Sequence, residues 1–283
     1  MAKRGFRRER ANMASPLYQP ATYWAQRLGR NFTLDGVGYE GLGVGMNTWI
    51  YRRRRDAVRR LLATHDISLR GLTVAELGIG TGYWFREWQR LGAEHLLGFD
   101  ITAVSVERLK SVYPHAELHE CDLGNPGSVQ RTARGRTVDF VAAMEVLGHI
   151  VDPGQFEAAL DNIAGLSHPG TWLLLSDLFL SLEARSHHQL SRTIEEYRDA
   201  LLARGLVLVA RTPVFFALHP FHFGKQGIQR HFAEAWWWTV TKSLRVAPLL
   251  GWPLGALLFL IDSALAAVVE EGPSTHLTLW RRA

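Results

Sequence analysis

The chain has 283 residues, of which 47% are hydrophobic and 21% charged, a globular balance that excludes disordered, collagen-like and coiled-coil classes. Its one cysteine, Cys121, cannot close an intramolecular disulfide, and no Cys/His spacing of a zinc site occurs, so a reducing cytoplasmic setting and no metal are expected. The net charge of +5 is unevenly held: residues 1–70 carry 14 Lys/Arg against 5 Asp/Glu, and the remainder 18 against 22.

Residues 1–16 are basic, lack the apolar run of a secretory signal and are expected to be a flexible leader. Residues 17–70 form a different unit. Gly36, Gly38, Gly41, Gly43 and Gly45 punctuate an aromatic arm, followed by Asn47, Trp49, Tyr51 and a basic helix over Arg52–Leu62. So glycine-rich a segment buries little core by itself, so it should pack as a lid over the edge or top of a main domain spanning 71–283.

From Leu72 onward, short apolar runs alternate with amphipathic stretches, the rhythm of βα units on a parallel sheet. Strands are expected at Leu72–Leu77, His95–Phe99, Ala116–Cys121, Val138–Met144 and Trp172–Ser176, with helices over Gly82–Leu91 and Thr102–Val112. Asp152 followed by Pro153 reads as an N-cap and first-turn proline, with Phe156, Leu160 and Ile163 at helical spacing behind them. Thr193 and Glu196 make a capping box, Gly205 a C-cap, and Leu206–Ala210 another strand. A helical insertion at about 215–272, with an aromatic-rich helix over Ala235–Leu244, precedes a last strand, Thr275–Trp280.

Within that insertion, Ala247–Val269 is apolar apart from Asp262 and Ser263 and approaches the length of a membrane span. Pro248, Gly251, Pro253 and Gly255 should break its first half, and Asp262 would sit in hydrocarbon. A buried helix, or one against a lipophilic ligand or membrane surface, is therefore expected instead of a span.

The sharpest motif is Glu76-Leu77-Gly78-Ile79-Gly80-Thr81-Gly82, a strand running through a glycine turn into a helix. Alternate glycines remove Cβ atoms where a ligand approaches the backbone, and the helix start offers free N–H groups and a positive end. Asp100 ends the next strand, placed to accept the hydroxyls of a ribose. Asp122 ends the third, near where an adenine amino group would lie. A dinucleotide fingerprint would read G-x-G-x-x-G. Here the spacing is G-x-G-x-G with bulky Tyr83 and Trp84 behind it, so hydride transfer is the lesser alternative.

On these residues, together with Asp139-Phe140-Val141-Ala142-Ala143-Met144-Glu145-Val146-Leu147-Gly148-His149, the sequence over roughly 70–180 resembles the class I methyltransferases that use S-adenosyl-L-methionine. The resemblance implies a doubly wound, Rossmann-like seven-stranded sheet. It implies that Glu76, Gly78, Gly80, Thr81 and Gly82 surround the methionine portion, Asp100 and Ile101 the ribose, Asp122 and Leu123 the adenine, and that Met144 and Glu145 open the loop facing the methyl group. The Asn-Pro-Pro-Tyr-type loop of many nitrogen methyltransferases is absent after the fourth strand, where Glu145-Val146-Leu147-Gly148 stands, which favours transfer to a hydroxyl oxygen of a small, lipophilic acceptor. His149 is then the candidate base; its other reading is packing against the cofactor or capping the helix near Asp152. Two other functions stay open, a cofactor-binding regulator without transferase activity and an RNA methyltransferase.

Among the other residues, the arginines at 52–55, 59 and 60 read as a solvated helix face, with phosphate binding or a contact to the cofactor's carboxylate as alternatives. His219 and His222, split by Pro220, suit an aromatic loop over the substrate better than a metal pair. His187 and His188 are expected on a solvated loop. Trp236, Trp237 and Trp238 cannot share one helix face, so at least one should reach another element, a ligand or a membrane interface.

Overall fold

The computed structural model describes residues 18–179, 184–185, 188–219 and 228–283. The basic leader 1–16, His187, Pro220 and His222 lie outside the described residues.

Seven strands form one sheet: β1 (Thr73–Leu77), β2 (His95–Asp100), β3 (Glu117–Glu120), β4 (Val138–Met144), β5 (Ser167–Asp177), β6 (Leu206–Pro213) and β7 (His276–Arg282). Their spatial order is β3-β2-β1-β4-β5-β7-β6, parallel from β3 to β5, with β7 antiparallel to both neighbours. The doubly wound, Rossmann-like sheet expected from the sequence is therefore present. Side chains alternate faces along each strand. Val74, Phe140 and Ala142 enter one core, with α3 (Gly43–Thr64), α4 (Tyr83–Arg90) and α5 (Ala103–Lys110). Ala75, Val141 and Ala143 enter the other, beside α7 (Pro153–Leu166) and α8 (Ile194–Leu202), with the short α6 (Ser128–Thr132) between β3 and β4.

Local chemistry sets the helix starts. Thr102 and Asp152 accept hydrogen bonds from the N–H groups of Ser105 and Gln155, and Thr193 and Glu196 form the reciprocal capping box. Gly205, expected as the C-cap of α8, lies further on. The helix ends at Leu202 with Ala203 as its cap, and Gly205, at φ 72°, makes the turn into β6.

The N-terminal arm is ordered by two buried polar side chains. Arg27, on α1 (Pro20–Arg30), donates to the carbonyls of Gly36 and Gly38 at 2.6 Å each. Asn47, fully buried, accepts from the Tyr39 N–H at 2.9 Å and its amide donates to Asp35 and to the carbonyls of Tyr39 and Gly43. A loop around the short α2 (Leu34–Val37) that has little apolar surface is thus fixed by satisfied hydrogen bonds.

Two expectations are corrected. The arginine run is a solvated face only at Arg59 and Arg60, which are exposed: Arg53 and Arg54 are buried, Arg52 lies over the Trp49 ring at 4.5 Å, and Arg59 pairs with Glu87 at 2.6 Å. Charges at successive positions of a helix point in different directions, and α3 is covered on most sides. The expected break in the apolar stretch is confined to its start. Pro248–Leu250 forms a 3₁₀ turn, after which α10 (Gly251–Leu265) runs unbroken. Pro253 falls in its first turn, where no intrahelical acceptor awaits its N–H. Gly255 faces α3, where an added Cβ would come within 2.5 Å of the Trp49 ring. Asp262 is fully buried, accepts from the N–H groups of Ala217 (2.6 Å) and Leu218, and feels the Arg53 charge. Over Pro248–Leu265 mean hydropathy is 1.6 with only 22% of the window buried, so α10 is covered along one stripe instead of buried.

Candidate functional site

The strand order reverses between β1 and β4, and in open α/β sheets the crevice outside such a switch point, at the carboxyl ends of the strands, is where ligands bind. Register aligns those ends, since Leu77 pairs with both Phe99 and Ala143, and this brings Gly78, Asp100 and Met144 to one edge. A cavity of about 570 Å³ opens there, the size of a small-molecule site.

Of the residues expected around a cofactor, Glu76, Gly78, Gly80, Thr81, Asp100, Ile101, Asp122, Leu123, Met144 and Glu145 line this cavity. Gly82 does not appear in the lining. At φ 75° it is the left-handed N-cap of α4, and a Cβ there would meet Leu109 at 2.8 Å; its role is backbone geometry and packing. Gly78 (φ 80°) is also left-handed, with Val146 filling the space a side chain would need.

Asp100 is buried and held by three hydrogen bonds, from the Gly80 N–H (2.9 Å), the Thr102 N–H (2.9 Å) and the Thr102 hydroxyl (2.7 Å). It therefore ties the glycine turn to the end of β2. Burial nonetheless holds its carboxyl above the usual range, against those bonds. Glu76 is 1% exposed; one oxygen accepts from the Trp88 indole at 3.0 Å and the other has no hydrogen-bond partner. Desolvation pushes its carboxyl well above the ordinary value, as for a buried acid that no cation yet compensates. Asp122 accepts from the Gly124 N–H at 2.8 Å.

Glu145 follows β4 at φ 61°, a left-handed backbone that a non-glycine residue adopts at a cost and that recurs at functional sites. Its carboxylate lies 3.2 Å from the Arg54 guanidinium and 2.5 Å from the Ser176 hydroxyl. Arg54, from α3, is sandwiched between the Tyr51 and Phe215 rings at 5.3 Å from each.

Beyond these residues the cavity runs beneath the N-terminal arm, where Tyr23, Trp24, Tyr39, His149, His188 and His219 form an aromatic wall. His149 lies in the 3₁₀ turn Leu147–His149; its Nδ1 is 3.0 Å from the His188 carbonyl. A carbonyl only accepts, so Nδ1 carries the proton and Nε2 the lone pair. The ring stacks on His188 (5.6 Å, 8°) and meets Trp24 edge-on (5.0 Å). Burial lowers its pKa to about 4, leaving it neutral at physiological pH. His219, packed between Phe215 and Trp237, is lowered to about 3 by burial and by the Arg54 charge.

His188 corrects an expectation. Instead of a solvated loop it occupies the cavity wall between His149 and Tyr23. Tyr23, Trp24, Arg27 and Tyr51 also line the cavity without having been singled out as site residues, the aromatic composition of the arm being the signal for the first two and Tyr51; Arg54, one of the arginines with a cofactor contact as an alternative reading, lines it too. Of the tryptophans, Trp237 packs on Tyr39, Trp236 donates to the Ala217 carbonyl at 3.1 Å, and Trp238 is 62% exposed. No cluster of three or more potential metal ligands occurs among the described residues.

Residues 46–237 match a family model described as a methyltransferase domain. The chain belongs to the class I S-adenosylmethionine-dependent methyltransferases. A ubiquinone biosynthesis O-methyltransferase of Caulobacter vibrioides is 33% identical over 119 residues, 40% of this chain and 44% of the relative. That of Rhizobium rhizogenes is 27% identical over 167 residues, 53% and 65% of the two chains. This methyltransferase thus spans about half to two thirds of the curated relatives' length. In fold it is similar to the magnesium protoporphyrin IX methyltransferase of Synechocystis PCC 6803, solved with S-adenosylmethionine bound (TM-score 0.55, 14% identity, 95% and 100% of the two chains).

The family's cofactor is S-adenosyl-L-methionine, and the residues present suit it. The orphaned Glu76 oxygen is an acceptor for an ammonium group, the Cβ-free turn at Gly78 and Gly80 admits a ligand against the backbone, and Asp100 and Asp122 offer acceptors to hydroxyl and amino groups at the same edge.

Proposed function

We propose that this methyltransferase transfers a methyl group from S-adenosyl-L-methionine to a hydroxyl oxygen of a small, lipophilic acceptor. The observation that carries this reading is the aromatic extension of the cavity under the arm, with the neutral His149 in its wall. Aromatic walls bury a flat apolar molecule while leaving few polar groups to desolvate. The relatives named as O-methyltransferases support oxygen as the acceptor atom.

Glu76 and the turn 78–81 would hold the methionine end, Asp100 with Ile101 the ribose, and Asp122 with Leu123 the adenine. When bound, the cofactor supplies an already electrophilic methyl carbon on a sulfonium. The chain's own contribution is alignment and exclusion of water. Tyr23, Trp24 and His188 close the acceptor side. His149 receives the hydroxyl proton at Nε2, and the His188 carbonyl, accepting from Nδ1–H, stabilises the imidazolium that results. Arg54 neutralises Glu145 beside the cofactor loop, which limits competition from that carboxylate for the acceptor's proton.

The test is turnover of His149→Gln with a panel of phenolic and catecholic acceptors, alongside its affinity for S-adenosylhomocysteine. A loss of about 100-fold or more in kcat with unchanged affinity is expected. Wild-type kcat would remove the base role. Transfer of label only to RNA or to amine acceptors would overturn the hydroxyl assignment.

A further inference from the structure

Helix α10 presents two apolar sides. Its inner stripe, Gly251, Gly255, Leu258 and Asp262, packs against α3. Its outer side, through Pro253, Leu257, Leu260, Ile261 and Ala264, carries no charged or hydrogen-bonding side chain, yet Leu257 and Leu260 are 56% and 65% exposed. The turn before it continues the surface with Leu249, 82% exposed, and Trp252. A soluble surface seldom leaves so contiguous an apolar face uncovered.

Three cations border this face. Lys242 lies 5.7 Å from the ring of exposed Trp238 on α9 (Ile228–Val246), Arg245 follows one turn later, and Arg52 flanks Trp49, whose ring packs on Phe259 of α10. Nearby carboxylates are Glu40 in the cavity lining, Glu234 on α9, and Glu270 and Glu271 beyond α10, with Glu271 directed to Arg211 at 3.5 Å. Arg245 and Pro20 both line the cavity. Arg245, at the end of α9 and just ahead of the exposed 248–250 turn, joins this face to the cavity lining.

We propose that the α9–α10 face docks on the surface of an anionic lipid bilayer, α10 lying in the interface with Leu257, Leu260 and Ile261 turned towards the acyl chains. An apolar side flanked by Trp and Lys/Arg is the signature of an interfacial helix. A span is ruled out by geometry. Fifteen residues at about 1.5 Å each reach roughly 22 Å, short of a core of about 30 Å, and the inner stripe is committed to α3 at Gly251 and Gly255 and to the Ala217 N–H at buried Asp262. A second copy fits less well, because a two-fold contact sets like patches against each other and would bring Lys242, Arg245 and Arg52 towards their own counterparts. Docking also brings the cavity lining at Arg245 towards the membrane, but does not depend on the acceptor assigned above.

Co-sedimentation of the full chain with vesicles of phosphatidylcholine, with and without phosphatidylglycerol, tests the proposal. The wild type should bind, more tightly with phosphatidylglycerol and less at high salt. Leu257→Glu/Leu260→Glu, at exposed positions outside the cavity, should weaken binding by about tenfold or more while keeping its melting temperature and its S-adenosylhomocysteine affinity. Arg52→Ala/Lys242→Ala should reduce the preference for phosphatidylglycerol with the apolar face intact. The proposal is overturned if the wild type stays in the supernatant, if the double glutamate variant binds equally well, if phosphatidylglycerol makes no difference, or if light scattering shows a dimer that the glutamates dissolve.

Discussion

Replacing Asp100 by Asn tests the core of the site, because the change is nearly isosteric and its effects on folding and on ligand binding differ. In the native site one carboxylate oxygen accepts from both the N–H and the hydroxyl of Thr102, and the other from the Gly80 N–H. Asn keeps the Thr102 bonds through its amide oxygen, but sets an NH2 against the Gly80 donor. That lost bond costs about 1–3 kcal/mol. Removing a buried charge offsets part of it, since desolvation already raises the Asp100 carboxyl. A small fall in melting temperature is therefore expected. Binding should suffer more. Two ribose hydroxyls donating to an ionised group are worth about 1.5–3 kcal/mol each, and a neutral amide retains only part of that, so S-adenosylhomocysteine affinity should fall roughly 100-fold, corresponding to about 2.7 kcal/mol. Calorimetric titration of wild type and variant, with NAD as the control ligand, reads this directly. A folded Asp100→Asn protein with wild-type affinity would refute the ribose assignment, and preferential binding of NAD would refute the cofactor reading.

Other substitutions probe separate parts of the argument. Glu76→Gln should raise the apo melting temperature at pH 7–8 while weakening S-adenosylhomocysteine by about tenfold or more. The sign follows from a raised carboxyl, whose contribution to stability is fully present below its unfolded pKa and is lost as pH rises; an unchanged or lower apo melting temperature would show that Glu76 is already compensated. Asp262→Ala strands the Ala217 and Leu218 N–H groups and the Arg53 charge. It should cost about 3–5 kcal/mol in chemical denaturation, whereas a loss below about 1 kcal/mol would mean α10 is not anchored there. Tyr197→Phe removes the 2.5 Å hydroxyl bond to buried Asp177, whose carboxyl stands at about 7; a stability loss of about 1–3 kcal/mol at pH 8, smaller at pH 5 where Asp177 is protonated, is the expected denaturation result.

The sheet was legible because each of its strands announces itself locally. Val138–Met144 is an apolar run bounded by turns, and its length was readable to the residue. Asp100 was legible for the same reason, since the turn and the strand end that frame it lie within one βα unit. The aromatic chamber was not. Its walls form by contacts such as His149 with His188, 39 residues apart, and Arg54 with Glu145, on α3 and just after β4, and nothing in the local pattern of either partner selects the other. The same holds for the arginine run, whose composition says cationic surface. Helical rotation turns Arg54 towards Glu145 and Phe215, and Arg53 is met by Asp262 of α10, some 200 residues later.

The environment of His149 carries a consequence for the reaction itself. Packing against Trp24 and His188 desolvates the imidazole and lowers its pKa to about 4, making it a weaker base than a free histidine. Methyl transfer tolerates this, because the sulfonium carbon is electrophilic before any proton moves and the base need only take the proton as the new bond forms. Weak basicity is thus exchanged for a histidine that is neutral throughout the physiological range, in a single tautomer fixed by the His188 carbonyl. If His149 is the base, kcat should be flat from about pH 5 to 8 and fall only as pH drops through about 4, where Nε2 acquires a proton. An acidic limb centred near 6.5, the value of a solvated histidine, would place the proton acceptor elsewhere than at His149.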